Sequence, residues 1–406
     1  MAQPEKGSLT AVPLTGPAAA AAMVSEWEEG RAVLPLDPRM PAPERRRILD
    51  ALRPTHQLGE WGVRALPGGV PVDPEVAAVV STSGTSGEPR GVELTWDGLA
   101  ASAQASRQAL GAHSGHNAGE RDAAWLCCLP VYGIGGLGVV ARGWSTGQAV
   151  EVVGRFDPAV VAATEASFVS LVPTTLRRCL EGGVDLGRFL AILVGGAPLD
   201  PQLRTEAEAA GAAVVATYGL TETWGGVVYD GRALDGVEVR LDDDNEILIR
   251  GSVVMRGYRL RPDDTAAAVS PEGWLRTGDA GAWGEAGDLR VIDRLRDLIV
   301  TGGTNVSPTE VESVLQGHPG VADVGVVGSD DADWGERVVA HVVATDPEDP
   351  PTLADLRAFA AEQLSTAKLP RQLVLVTEVP RSSGGKTLRR LLAGLKTPED
   401  GFDSSA

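Results

Sequence analysis

From Val76 onward, short apolar runs alternate with stretches of helical character, and this alternation restricts the folds open to the chain. The runs are EVAAVVS, AAWLCCLP, SFVSLVP, FLAILVGG and AAVVATYG, and helical stretches such as residues 97–110 and 135–147 separate them. Short buried strands that alternate with helices are typical of a doubly wound α/β core. The sequence therefore predicts such a core for the larger part of the chain.

The pattern of apolar and polar residues changes twice after this predicted core. Polar β segments, VEVRLDDDNEILIRG and LRVID, follow Asp230 and predict a small β subdomain. From about Asp297 the order is helix, strand, strand, helix and strand, which predicts a compact α+β domain. We therefore place an N-terminal domain at 1–295 and a C-terminal domain at 296–406. The first 45 residues, rich in Ala and Pro, are expected to be partly irregular.

Charge and composition exclude several classes of function. The 406 residues carry a formal net charge of −19, so the field of the molecule repels nucleic-acid backbones and anionic membranes. An anionic substrate must then be held by local donors. Three cysteines, Cys127, Cys128 and Cys179, are expected to be reduced and buried. No stretch is long and apolar enough for a membrane span, and the expected location is the cytoplasm.

One loop has the composition of a phosphate-binding site. The segment Ser81–Gly87 contains five hydroxyl residues and two glycines, and it follows an apolar strand. With a helix capped near Thr95 behind it, its backbone N–H groups and hydroxyls could converge on phosphate oxygens. It matches neither the Walker A nor the GxGxxG pattern. By itself the loop leaves phosphate binding and a flexible linker both open.

Four further motifs decide between these alternatives. They are YGLTETWGG (218–226), GWLRTGDAG (273–281), DRLRDLIVTGGTNVSPTEVE (293–312) and SSGGKTLRR (382–390). Together with the loop, and in this order, they resemble the adenylate-forming superfamily of acyl-CoA ligases. The resemblance implies that the chain joins a carboxylate to AMP, releases pyrophosphate, and passes the acyl group to a thiol. It also implies a small C-terminal domain that rotates between these two half-reactions.

Longer segments narrow the resemblance. SLVPTTLRR (170–178), ILVGGAPL (192–199) and residues 217–242 look like the o-succinylbenzoate CoA ligases of menaquinone biosynthesis. This resemblance implies a small-molecule carboxylate, ATP and CoA as substrates and Mg²⁺ as cofactor. Another aryl- or acyl-CoA ligase, or a stand-alone adenylating module that loads a carrier protein, stays open. So do a catalytically silent nucleotide-binding regulator and a homo-oligomeric state.

The resemblance also assigns nucleotide-binding and catalytic residues. Those expected to bind ATP are Thr82, Ser83, Gly84, Thr85, Ser86, Gly87, Arg90, Gly195, Gly196, Ala197, Pro198, Tyr218, Gly219, Asp279 and Arg294. Arg90 stands where the family usually has Lys, and Arg294 should lie beside Asp279. Thr221 and Glu222 are expected to be catalytic, with Glu222 on Mg²⁺, which prefers few protein oxygens. Lys386 is expected to be the adenylation lysine.

The resemblance also assigns acid-binding residues. The residues expected to bind the acid are Arg142, which the resemblance places near the second carboxylate, the one on the ring, and Ser170, Thr174, Gly225 and Gly226. The chain departs from the family pattern at two other positions. The family places a His or aromatic residue at the carboxylate tunnel, whereas this chain has Tyr132 followed by Gly133. Either Tyr132 substitutes or the pocket is more open. The second departure is Arg296, expected to be the hinge, where the family usually has Asp or Lys.

Overall fold

The computed structural model describes residues 7–83, 88–114, 123–381 and 387–394. The strands, in chain order, are β1 Leu9–Val12, β2 Ala32–Pro35, β3 His56–Gly59, β4 Gly62–Ala65, β5 Val76–Ser83, β6 Pro89–Thr95, β7 Trp125–Cys127, β8 Val150–Val152, β9 Phe168–Leu171, β10 Ala191–Val194, β11 Val214–Leu220, β12 Gly225–Tyr229, β13 Arg232–Ala233, β14 Glu238–Leu241, β15 Glu246–Arg250, β16 Gly257–Tyr258, β17 Leu275–Trp283, β18 Leu289–Arg294, β19 Ile299–Thr301, β20 Thr304–Val306, β21 Val321–Asp331, β22 Gly335–Ala344 and β23 Gln372–Leu375. The α-helices are α1 Gly16–Glu28, α2 Ala42–Leu52, α3 Trp96–Ser114, α4 Ile134–Thr146, α5 Pro158–Ala163, α6 Pro173–Glu181, α7 Pro201–Ala209, α8 Pro262–Ala268, α9 Pro308–Leu315, α10 Leu353–Ala360 and α11 Arg389–Leu392.

Two seven-stranded sheets form the larger part of the fold. Their strand orders are β16-β6-β5-β2-β1-β3-β4 and β13-β12-β11-β10-β9-β7-β8. The central pairs of both sheets are parallel, while pairs nearer the edges, such as β5 with β6 and β11 with β12, are antiparallel. The predicted α/β class is confirmed. The strands are nevertheless divided between two mixed sheets rather than wound into one.

The first 45 residues, expected to be partly irregular, contain regular structure over most of residues 9–35. All four residues of β1 and all four of β2 are buried, and the two strands pair in parallel. Between them runs α1, an Ala-rich helix with Pro in its first turn, a composition that favours helix once its buried face is covered. Trp27 closes this packing by donating from its indole nitrogen to the Ala77 carbonyl oxygen at 3.0 Å. Compositional bias here reflects helix propensity.

The strands after Asp230 form the predicted β subdomain, a four-stranded sheet of order β14-β15-β17-β18. The predicted α+β region is a five-stranded sheet of order β20-β19-β22-β21 with β23 beside β22, and its core includes residues from α9 and α10. The chain divides into two compact units, Met1–Arg240 with Leu248–Thr277 and Glu285–Leu289, and Leu241–Ile247 with Gly278–Gly284 and Arg290–Ala406. A single domain boundary at residue 296 stays a prediction.

The prediction that the three cysteines are buried is confirmed. Cys127, Cys128 and Cys179 are free thiols in the interior. Burial raises the pKa of Cys127 and Cys128 to about 12 and that of Cys179 to about 11. All three therefore remain protonated at neutral pH and are not nucleophiles. In the described part of the chain, no helix is long and apolar enough to cross a membrane.

Candidate active site

The predicted phosphate loop lies in a β-hairpin. Strands β5 and β6 pair with Thr82 opposite Arg90, and Gly84, Thr85, Ser86 and Gly87 lie outside the described residues. The predicted helix follows the loop as α3, and strand β6, which the sequence analysis did not predict, lies between them. The predicted cap is confirmed, since the Thr95 hydroxyl accepts from the Gly98 N–H at 3.1 Å. Any phosphate held here is thus held by hairpin atoms rather than by a helix N-terminus.

Arg90 emerges from this hairpin into a small cluster of charged and aromatic groups. Its Nε lies 3.3 Å from Asp264 Oδ2, and its guanidinium carbon lies 5.4 Å from the ring centroid of Tyr258. Arg90 Nε and Asp264 Oδ2 are both buried, and neither makes a hydrogen bond. The contact between Arg90 and Asp264 is therefore ionic rather than a directed bond.

Glu222 belongs to the same cluster. It lies in the short 3₁₀ turn Thr221–Thr223 that follows β11, and its backbone oxygen accepts from the Met255 N–H at 2.7 Å. Its carboxylate Oε1 accepts from the Tyr258 hydroxyl at 2.8 Å. Burial, followed by the nearby Glu222 charge, raises the pKa of Tyr258, so this phenol stays a donor. The second carboxylate oxygen is left for another partner.

Tyr258 was missed by the sequence analysis. It lies in the two-residue strand β16, which pairs with β6 and so reaches the loop hairpin from a distant part of the chain. The sequence gives no periodic signal for so short a strand. Its position depends on the antiparallel pairing of Gly257 with Glu93, which only the tertiary structure reveals.

The segment expected to enclose adenine follows β10 and runs beside β11. Strand pairing places Val194 opposite Ala216, so Gly195 comes next to Thr217 and close to Tyr218. A Cβ on Gly195 would lie 2.2 Å from the Thr217 hydroxyl, and a Cβ on Gly219 would lie 1.8 Å from the Gly225 carbonyl oxygen. Only glycine fits at either position. The start of the predicted adenine segment therefore lies beside Thr217, the residue before Tyr218.

Asp279 and Arg294 lie in the second compact unit. The predicted proximity is confirmed, because Arg294 Nε is 2.7 Å from Asp279 Oδ1. Asp279 is 5% exposed, and the Gly278 N–H before it donates to Glu246 Oε1 at 2.8 Å. Arg294 thus fixes one carboxylate oxygen of a buried aspartate.

The predicted hinge also belongs to this unit. Arg296 is exposed in the 3₁₀ turn Leu295–Asp297, with Nε 3.6 Å from Asp297 Oδ1. Lys386 lies outside the described residues. On either side of that segment, Arg381 and Thr387 form an isolated β-bridge, and Arg389 donates to the Glu312 carboxylate at 2.9 Å. Burial raises the pKa of Glu312 to about 7 despite this pairing.

The residues expected to bind the acid surround β12 and α4. Gly225 pairs with Leu220 and Gly226 with Gly219. Arg142, on α4, donates from NH1 to the Ser106 hydroxyl at 3.0 Å and lies over the Trp125 ring at 4.5 Å. Ser170 is buried in β9, while Thr174 is exposed and shares a surface depression with Pro198.

Tyr132 makes a hydrogen bond through its hydroxyl. Its hydroxyl accepts from NH2 of Arg39 at 2.8 Å. A Cβ on Gly133 would meet only the Pro130 carbonyl oxygen, at 3.7 Å, so the position after Tyr132 is open. Of the two alternatives for this departure, the geometry favours the more open pocket.

The family follows from two matches of conserved domain models. Residues 56–259 match the AMP-binding enzyme model, and residues 310–386 match the model of the C-terminal domain of the same enzymes. The chain belongs to the AMP-binding enzymes. Its Thr82, Glu222 and Tyr218 lie within the first match, and Lys386 ends the second.

Relatives of this AMP-binding enzyme carry consistent names. The chain is 39% identical over 344 residues to a probable 2-succinylbenzoate–CoA ligase of Mycobacterium tuberculosis, and the match covers 81% of this chain and 86% of the relative. It also matches o-succinylbenzoate CoA synthetase from Bacillus subtilis in complex with the acyl-adenylate intermediate OSB-AMP, at a TM-score of 0.84 and 28% identity, over 97% of this chain and 89% of the other. The same synthetase in complex with ATP and magnesium ion matches at a TM-score of 0.83 and 28% identity, over 96% and 90%.

Proposed function

We propose that this AMP-binding enzyme is an ATP-dependent, AMP-forming ligase that converts o-succinylbenzoate and CoA into o-succinylbenzoyl-CoA, a step of menaquinone biosynthesis. The observation that carries the proposal is the 39% identity over most of the chain to a relative named for this reaction. The fold, which matches a synthetase holding the corresponding acyl-adenylate, supports it.

Two displacements make up the reaction. An oxygen of the acid's carboxylate attacks the α-phosphorus of ATP, and the bond to the bridging oxygen breaks with release of pyrophosphate. The CoA sulfur, having lost its proton, then attacks the acyl carbon, and AMP leaves with the electrons of the carbon–oxygen bond. The enzyme's task in the first step is to bring two anions together and to stabilise the charge that develops.

We assign nucleotide binding to residues that the structure groups in the first unit. The hairpin residue Thr82 and Arg90 would hold the β- and γ-phosphates, and Arg90 could exchange its ionic contact with Asp264 for phosphate oxygens. The segment from Gly195 to Pro198 and Tyr218 would hold adenine. We assign Asp279 separately to the ribose hydroxyls, with Arg294 fixing its orientation.

The fit to magnesium rests on the chemistry of Glu222. The described residues contain no group of three or more His, Cys, Asp or Glu side chains that could hold a metal by themselves. Mg²⁺ bound with a nucleotide needs only one or two protein carboxylates, the rest of its ligands being phosphate oxygens and water. Glu222, with Oε1 held by Tyr258, supplies one such oxygen. Bound there, the ion would neutralise phosphate charge.

Replacing the Tyr258 hydroxyl tests this arrangement. Tyr258→Phe removes the hydrogen bond that orients Glu222 and keeps the ring under Arg90, so the Mg²⁺ concentration giving half-maximal rate should rise about three- to tenfold. Titration of Mg²⁺ at saturating ATP measures the effect on activity, and Mn²⁺ binding to the enzyme–ATP complex by electron paramagnetic resonance measures it without turnover. Tyr132→Phe, which loses a hydroxyl that contacts Arg39 and Asp37 rather than Glu222, is the control. An unchanged metal requirement in Tyr258→Phe would contradict the role of the hydroxyl.

The substrate assignment is tested by pyrophosphate release with a panel of acids. We expect o-succinylbenzoate to give a higher kcat/KM than benzoate or medium-chain fatty acids. With that acid, adding CoA should yield the thioester. Preference for another acid would leave a ligase of different specificity, and transfer only to a carrier-protein thiol would indicate an adenylating module. Absence of pyrophosphate release with every acid would indicate a silent nucleotide-binding protein.

A further inference from the structure

A buried chain of polar groups joins α3, α4 and β12. Arg142 NH1 donates to Ser106 Oγ at 3.0 Å, and Ser106 Oγ lies 2.8 Å from the Tyr229 hydroxyl oxygen. Ser106 is 1% exposed and Tyr229 is 7% exposed. Polar groups are costly to bury, so two buried hydroxyls beside a half-buried guanidinium call for an explanation.

The location of these three hydrogen-bonded side chains follows from the face of α4 that contacts β12. A Cβ on Gly225 would lie 3.9 Å from Ile134, and a Cβ on Gly138 would lie 3.5 Å from the Trp224 carbonyl oxygen. Ile134, Gly138 and Arg142 are four residues apart and therefore share one face of the helix. Along that face, Arg142 lies about 12 Å from Ile134.

Glycines leave space along this contact, and Tyr229 occupies part of it. A Cβ on Gly226 would lie 3.0 Å from Cε1 of Tyr229. The Tyr229 ring therefore uses the room that the missing side chain of Gly226 provides. The predicted acid-binding glycines, Gly225 and Gly226, thus lie between Ile134 at one end and the polar chain at the other.

One of these two hydrogen bonds has a fixed direction, while either hydroxyl can donate in the bond between Ser106 and Tyr229. A guanidinium can only donate, so Ser106 Oγ accepts from Arg142. Among the described atoms, the Tyr229 hydroxyl oxygen is the one acceptor that the Ser106 proton reaches. When Ser106 donates to it, the proton of Tyr229 is turned away from Ser106. Arg142 and Tyr229 then present a positive charge and an O–H donor together, a combination that suits a carboxylate.

We infer that Tyr229 is a second donor to the ring carboxylate of the acid, beside Arg142, and that Ser106 is a positioning residue that fixes both groups. The inference rests on the proposed function, in which o-succinylbenzoate is the acid. It adds a specificity determinant, because an acid without the second carboxylate would leave both donors without an acceptor. The activated carboxylate, at the other end of the acid, would be unaffected.

Two variants and two acids test the inference. The second acid is 3-benzoylpropionate, which keeps the reactive chain and lacks the ring carboxylate. Tyr229→Phe and Ser106→Ala should each raise the KM for o-succinylbenzoate about three- to tenfold. The KM for 3-benzoylpropionate and for ATP should change less than twofold. Ser145→Ala, at an exposed serine of α4, is the matched control and should leave the KM for both acids and for ATP unchanged.

A folding defect gives a different pattern, since it would weaken both acids and ATP together; thermal melting of each variant monitors it. Equilibrium binding of both acids by calorimetry provides a readout without turnover. If wild-type enzyme discriminates between the acids and neither variant reduces that discrimination, Tyr229 and Ser106 have no role in specificity and the inference is overturned. If the wild type itself does not discriminate, the proposed substrate is wrong.

Discussion

Lys386→Ala should lower the rate of adenylation about 10²- to 10³-fold and largely spare thioester formation from supplied acyl-AMP. The reason is electrostatic, since the ammonium would neutralise the carboxylate and the α-phosphate as they meet, and this charge is not needed once AMP is the leaving group. Pyrophosphate release measures the first half-reaction. Thioester formation from synthetic o-succinylbenzoyl-AMP and CoA measures the second.

The control for this prediction is Lys368→Ala. Lys368 lies in the second compact unit, and its ammonium pairs with Glu310 at 2.6 Å. Removing this surface pair should cost about 0–1 kcal/mol of stability and should leave both half-reactions intact. An equal loss of both half-reactions in Lys386→Ala, or no loss in either, would contradict the assignment of Lys386.

Short motifs were the most predictable part of the site. The Asp279–Arg294 ion pair was expected from the family resemblance rather than from local chemistry, and the structure places the atoms 2.7 Å apart. The Thr95 cap was read from residue type alone. Such features require only a few side chains at known offsets, so a linear pattern contains nearly all the information.

Features that depend on strand pairing were not predictable. Strand β6 was missed because PRGVELT follows a loop and precedes a helix, so nothing local marks it as the partner of β5. The contact of Tyr258 with Glu222 depends in turn on the pairing of β16 with β6. A one-residue shift in that register would turn the phenol to the other face of the sheet.

The hydrogen-bonded side chains around Arg142 were only partly predictable from the sequence. Family resemblance pointed to Arg142, but neither Ser106 nor Tyr229 has a signal in the sequence. Ser106 lies in the middle of an Ala- and Ser-rich helix, where a serine is expected to be exposed to solvent and does not predict a buried contact. Its 1% exposure results from the packing of α3 against α4 and β12.

Arg142→Ala should raise the KM for o-succinylbenzoate about ten- to a hundredfold while the KM for ATP stays nearly constant. Loss of a charge-assisted contact in a partly closed pocket costs about 1.5–3 kcal/mol, which corresponds to this range. Among the described residues, the guanidinium contacts a hydroxyl and an indole ring, with no Asp or Glu oxygen within 4.0 Å. The carboxylate of the acid would be its counter-ion.

The comparison with 3-benzoylpropionate separates binding from damage to the fold. The wild type should use this acid poorly, because Arg142 then lacks a counter-ion, and Arg142→Ala should weaken it little further. Arg142→Lys keeps the charge but loses the planar fork and its stacking on Trp125, so we expect an intermediate KM for o-succinylbenzoate. A parallel rise in KM for both acids and for ATP would mean that Arg142 supports the packing of α4 against α3 rather than binding the ring carboxylate.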